Sequence, residues 1–275
     1  EKTLGYQPGT GLLESSLLEK LGRAQESVLA AFKETLYQET QGTISRQQID
    51  ANLAALATRS DAPGIGAPRE QKVIAGLRLY LQGRWAEAAT ALGAGLAGLD
   101  DPFGSFLLQA CLLEKDKVTA DRLTSFVALE PRYRSYPEFY LRLWRAMKKG
   151  PGQYSLANVR NVLEKSILLA PTSSVAAASR TELGRLLGLD AEDARSLLLR
   201  PELDVAYARL AGGGDPRQVL PSVMRLLSIR KENVYTSDGV LMLKTAARIP
   251  GVGAYLQEEA RGASGALKDR LSQIL

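Results

Sequence analysis

Gly76-Leu77-Arg78-Leu79-Tyr80-Leu81-Gln82-Gly83-Arg84-Trp85-Ala86-Glu87-Ala88 is the stretch on which the fold turns. Gly76 and Ala88 are small enough to let two antiparallel helices approach closely, and Gly83 between them can take the positive φ of a tight turn. Trp85 then fills the wedge between neighbouring helices. The pattern runs on through Leu92 and Gly95, so the segment from Val73 to Leu99 reads as one helical hairpin.

These residues resemble the centre of a tetratricopeptide repeat, with Gly76, Leu79, Gly83, Trp85, Ala88, Leu92 and Gly95 in register. Two later endings, Phe126-Val127-Ala128-Leu129-Glu130-Pro131 and Ser166-Ile167-Leu168-Leu169-Ala170-Pro171, are similar to the family's second-helix terminus. The second unit departs from the pattern: Lys117 stands where the turn glycine would be, and bulky Trp144 lies near a position the family keeps small. The resemblance implies an all-α fold, a right-handed superhelix of about three helical hairpins with a long N-terminal helix and a helical C-terminal cap. In the family, first helices line a concave groove, which implicates Glu70, Val73, Leu77, Tyr80 and Leu81 as groove-facing.

Upstream, Leu17, Leu21, Ala24, Val28, Ala31 and Thr35 follow alternating four- and three-residue steps, a coiled-coil-like spacing. One long helix from Gly11 to about Thr40 is expected, packed along the array or paired with a second copy. Ser45, followed by Gln48, carries the signature of a capping box opening another helix. The stretch 60–68 has two prolines and two glycines in nine residues, so a boundary is placed there. The expected division is 1–68, a repeat region 69–188 and a cap 189–275.

Within the repeat region Pro102, Pro131 and Pro171 each open a helical unit, 29 and 40 residues apart, and Pro137 starts a further helix. Such irregular spacing suits helical-hairpin repeats that have drifted. After Gly188, Asp190 caps a helix, Pro201 breaks the chain, Gly212-Gly213-Gly214 turns into Asp215-Pro216, and a last helical stretch runs from about Val252. No alternating strand pattern is present.

Composition excludes several chemistries. The chain has no histidine, which removes the commonest general base and metal ligand. Its single cysteine, Cys111, lies in an apolar helical run and reads as a small buried hydrophobe. A net charge of +5 over 275 residues is modest and tilts the chain only slightly towards anionic partners. No apolar run approaches the roughly 20 residues a membrane span needs.

Gly93-Ala94-Gly95-Leu96-Ala97-Gly98 matches the dinucleotide fingerprint literally, but no strand precedes it and it falls inside the second helix of the best hairpin. Close helix packing is the expected role. The Gly212-Gly213-Gly214 turn reads as a flexible connection, and the carboxylate neighbours Glu192/Asp193 and Glu258/Glu259 as solvated helix surface. The segment 132–149 holds six basic residues and five aromatics against one acid, Glu138. Phe139, Leu143 and Met147 are expected in the core, and Tyr140, Trp144 and Arg145 are candidates for a binding surface. Lys148 and Lys149 complement the helix end before Gly150.

The expectation is a non-enzymatic scaffold that binds another protein or peptide, with no catalytic, cofactor or metal site. Its alternative is a soluble accessory protein holding a small ligand in a cleft or pore reaching Tyr80 or Trp144. A homo-oligomer through the N-terminal helix is a further expectation, and nucleic-acid binding is disfavoured. The chain starts at Glu1 without an initiator Met, which suggests a bacterial envelope, periplasmic or lipoprotein setting, with the cytoplasm as the other option.

Overall fold

A computed structural model describes residues 10–40, 42–60 and 68–275. The boundary expected at 60–68 lies largely outside them. Among the described residues there are 18 helices and no strand. None of the helices is long and apolar enough to cross a membrane. The chain divides into two compact units between Ala176 and Ala177.

In the first unit the helices are α1 (Thr10–Lys20), α2 (Ala24–Thr40), α3 (Arg46–Ser60), α4 (Pro68–Leu81), α5 (Trp85–Gly95) and α6 (Pro102–Lys115). They are followed by α7 (Ala120–Val127), α8 (Glu130–Tyr133), α9 (Pro137–Lys149) and α10 (Leu156–Leu169). From α3 to α7 each helix packs on the next, then α7 and α6 on α9, and α9 on α10. The α4–α5 hairpin is the most closely paired of these. Gly83 has φ +72°, and a Cβ added at Gly76 would stand 2.7 Å from Leu92 Cγ. At Gly95 it would stand 2.8 Å from Val73, so both glycines are there for close approach; of the three fingerprint glycines only Gly95 has this role, since nothing lies within 4 Å of a Cβ at Gly93 or Gly98.

The single long N-terminal helix is corrected to a hairpin. Gly22 takes φ +72°, the Arg23 N–H donates to the Leu18 carbonyl at 2.9 Å, and the Gly22 N–H donates to Glu19 at 3.0 Å. This is a Schellman cap, and it ends α1 where the heptad stepping runs on. The α1 helix folds back along α2: the Ser15 and Ser27 hydroxyls meet at 2.9 Å, and the Gly11 N–H donates to Glu34 at 3.2 Å. Leu17 and Leu21 are therefore 62% and 70% exposed, while Leu29, Phe32 and Leu36 of α2 are buried.

Local signals set the other helix starts. Ser45 and Gln48 form the expected capping box, the Gln48 side chain accepting from the Ser45 N–H at 2.8 Å. Asp101 caps α6, accepting from the Gly104 N–H at 2.6 Å. The core of the first unit is aromatic-rich: Phe106 stacks on Tyr133 with ring centroids 4.6 Å apart, and Phe126 on Phe139 at 5.0 Å.

Helix α11 (Ser174–Leu187) straddles the division. The second unit continues with α12 (Ala191–Arg195), α13 (Arg200–Ala211), α14 (Pro216–Val219), α15 (Pro221–Ser228), α16 (Val234–Ala246), α17 (Val252–Gly262) and α18 (Gly265–Ile274). Asp190 caps α12 as expected, and Asp215 caps α14 after the triple-glycine turn. Here α16 packs on α13, α15 and α18, burying Leu203, Leu226, Leu227, Leu243 and Leu271. The segment expected to act as a cap thus builds a core of its own.

Candidate functional site

Helix α9 is where the basic and aromatic segment was expected to offer a surface. Pro137 fixes its first turn. The four-residue step then puts Glu138 and Arg142 on one face, and both are buried, at 2% and 4% exposure. A buried charge is tolerated only when paired and hydrogen-bonded. Glu138 Oε1 accepts from Arg142 Nη2 at 2.7 Å and from the Tyr80 hydroxyl at 2.8 Å. Its Oε2 accepts from the Tyr136 hydroxyl at 3.3 Å, with Arg46 Nη2 at 3.7 Å.

The network extends in two directions. Arg142 Nη1 donates to Glu114 of α6 at 2.9 Å, and Lys149 Nζ pairs with the other Glu114 oxygen at 2.6 Å. Lys149 also donates to the Glu114 carbonyl at 2.9 Å, so it closes the end of α6, whereas the sequence had assigned it to its own helix end. On the other side, Arg46 donates to Glu39 at 3.0 Å, and Glu39 accepts from the Ser174 hydroxyl at 2.5 Å. The Arg142 guanidinium also lies 4.2 Å from the Trp85 ring centroid and 5.3 Å from that of Tyr80, a cation–π contact with each of two rings that meet edge to face.

Burial alone would push the Glu138 carboxyl up, but Arg142 and Arg46 overcome it and hold the group at about 2. Burial pushes Tyr80 and Tyr136 well above the ordinary tyrosine range, with Glu138 adding to it. These groups keep one protonation state across the physiological range, unlike a catalytic acid or base poised near neutrality. Cys111 is buried too, and burial pushes its thiol up to about 12, an inert state. Among the described residues no group of three His, Cys, Asp or Glu side chains could hold a metal ion.

The groove assigned to α4 is corrected on the same grounds. Val73, Leu77 and Tyr80 are each 0% exposed: α4 is packed by α2, α3 and α5, Val73 lies against Gly95 of α5, and Tyr80 meets Trp85 and donates to Glu138 of α9. Glu70 and Leu81 are half-buried. Tyr140 and Trp144 are core residues, at 3% and 5% exposure; the Tyr140 hydroxyl lies 3.1 Å from Glu130 and 3.2 Å from the Arg134 carbonyl. Arg145 alone of the three α9 candidates is partly open, and it reaches Glu114 at 3.4 Å.

An open feature of the first unit lies elsewhere. A cleft of about 420 Å³ lies between α1, α2, the start of α6 and α8. Its floor holds Phe103 and Tyr133, the latter fixed by its hydroxyl donating to the Pro102 carbonyl at 2.6 Å. Its rim carries both signs, with Lys33 and Arg132 opposed to Glu14, Asp100 and Asp101, and Lys33 sits 5.9 Å from the Phe103 ring centroid. Of the 132–149 segment, only Arg132 and Tyr133 reach it. Neither Tyr80 nor Trp144 lines this cleft. Compared with known proteins, the chain matches no family model, and no curated protein or solved structure is significantly similar to it.

Proposed function

We propose that the chain is a non-enzymatic binding scaffold, built on tetratricopeptide-like hairpins, that holds a peptide segment of a partner protein in the cleft of its first unit. The cleft itself carries this reading: a fixed aromatic floor offers an anchor, and a rim of both charge signs suits a peptide, which brings both signs with it. The α4–α5 hairpin supports the repeat character, through its left-handed Gly83 and the close approach at Gly76 and Gly95. Helices stacked on sequence neighbours are the arrangement that such scaffolds use to present binding surfaces.

The alternative, a small-ligand accessory protein, uses the same place, since about 420 Å³ falls within the roughly 300–1,000 Å³ of small-molecule sites. The two-signed rim favours the peptide.

The test is photo-crosslinking from a residue placed at Lys33 or Arg132 in the cleft, or at exposed Glu87 as control, in native extract. One partner protein is expected from both cleft positions and not from the control. The pair Lys33→Glu and Arg132→Glu should lower its recovery about tenfold, the loss of about 1.4 kcal/mol, with unchanged thermal unfolding because both side chains are exposed. Equal crosslinking at Glu87, or undiminished recovery with both charges reversed, would sink the proposal.

A further inference from the structure

The second unit has a cleft of about 340 Å³ between the first turn of α16, α18 and the segment that follows α15. At its base lies Arg270, 8% exposed. Its Nη1 donates to the carbonyls of Leu227 and Ile229, both at 2.6 Å, which closes the C-terminal end of α15 and fixes the guanidinium plane. Nε and Nη2 have no acceptor among the described residues, and Arg270 forms no ion pair there. A guanidinium with one edge anchored and the other turned to a cleft is preorganised for a planar oxyanion.

Its surroundings select the anion. Arg230 lines the same cleft, and so do Thr236 and Ser237 in the first turn of α16, whose hydroxyls already donate to the Asn233 carbonyl at 2.8 and 3.2 Å and leave the charge of the site to the arginines and the helix end. That turn carries the positive end of a 13-residue helix. Asn233 caps it by accepting from the Tyr235 and Thr236 N–H groups at 3.0 and 3.2 Å. Two exposed acids, Glu232 and Asp269, line the same cleft as the two arginines, so the four formal charges cancel. One further negative charge is stabilised by the helix end, whereas a dianion meets two carboxylates at close range.

We infer that this cleft receives a carboxylate group, bound by the open edge of Arg270 with Arg230 and the α16 first turn closing around it. The group comes from a peptide C-terminus or an acidic side chain, and Val240 and Ala266 offer an apolar wall to what precedes it. The inference stands apart from the peptide cleft of the first unit, and its test does not involve that cleft.

The test is a titration of the full chain followed by the Arg270 Nε–H resonance. N-acetylglycine supplies a terminal carboxylate, N-acetylaspartic acid α-amide a side-chain carboxylate, N-acetylglycinamide no charge, and inorganic phosphate a second negative charge. A saturating shift with at least one carboxylate is expected, the tighter of the two naming the source, with none for the amide and phosphate about tenfold weaker. Arg230→Gln, at an exposed position, should weaken carboxylate binding about fivefold. The double variant Glu232→Gln/Asp269→Asn should bring phosphate up to the carboxylate affinity. No saturable shift with either carboxylate, an equal shift with the amide, or phosphate affinity indifferent to removal of the two acids overturns the inference.

Discussion

Glutamine at position 138 keeps the shape of the side chain and removes its charge, leaving Arg142 and Arg46 facing a neutral amide. Removing one partner of a buried ion pair costs about 3–5 kcal/mol. The lower end applies here because Arg142 retains Glu114 at 2.9 Å. Proton linkage gives the same size independently. A carboxyl held at about 2, against its ordinary 4.5, carries about 3 kcal/mol of stability at neutral pH, at 1.36 kcal/mol for each tenfold change. The folded-state value is depressed, so this contribution is complete above about pH 4.5 and is lost as pH falls towards 2. Glu138→Gln should therefore be less stable than wild type by about 3 kcal/mol at neutral pH, and the gap should narrow by about 2 kcal/mol near pH 3. Urea unfolding followed by tryptophan fluorescence measures this, because Trp85 and Trp144 are the only tryptophans and both lie in the first unit. A difference under about 1 kcal/mol at neutral pH, or a gap independent of pH, would refute the assignment of Glu138 as the ionised partner of Arg142.

Gly76→Ala should destabilise the first unit by about 1–3 kcal/mol, since the added Cβ meets Leu92 at 2.7 Å. Gly93→Ala, with nothing within 4 Å, should stabilise the helix by up to about 1 kcal/mol; the two measured by the same urea titration separate packing from any need for glycine in the fingerprint. Gly83→Ala forces a side chain into φ +72° and should cost about 1–2 kcal/mol, read as a lower unfolding midpoint. Leu17→Ala should change stability by less than about 0.5 kcal/mol, whereas Leu29→Ala, at a position 1% exposed, should cost about 2–5 kcal/mol, the opposite of what a heptad seam through Leu17 requires.

What could be read from sequence was local. Gly76, Gly83, Trp85 and Ala88 determine a hairpin among themselves, and Ser45 with Gln48, Asp101, Asp190 and Asp215 mark helix starts within a few residues. The turn at Gly22 escaped because Leu17, Leu21, Ala24 and Val28 keep their spacing through it, and spacing alone does not say which face another helix will cover. The groove residues failed for a related reason. A lone hairpin does not bury Tyr80; its hydroxyl is taken up by Glu138 of α9, and that arrival depends on contacts distant in sequence.

The buried network was illegible in the same way. Glu138 and Arg142 have the spacing of an ordinary surface pair, and Tyr80 lies 58 residues from its acceptor. One signal was available: Glu138 is the lone acid in a strongly basic and aromatic segment, and on a helix that buries most of its circumference a single opposite charge marks a place where charges must be matched inside. Nothing in the sequence pointed to Arg270, whose role rests on the meeting of α15 and α18.

All-helical proteins are engineered most simply where each helix or hairpin carries its own contacts and can be exchanged as a unit. The Tyr80–Glu138–Arg142–Glu114 chain of bonds forbids that economy here. It ties α4, α6 and α9 by side chains that are each incomplete alone, so transplanting α9 into another array would strand a carboxylate and a guanidinium together in an apolar interior. The smallest stretch that keeps the Tyr80–Glu138–Arg142–Glu114 bonds together runs from α4 to α9, and design that cuts within it would have to replace all four of these residues at once.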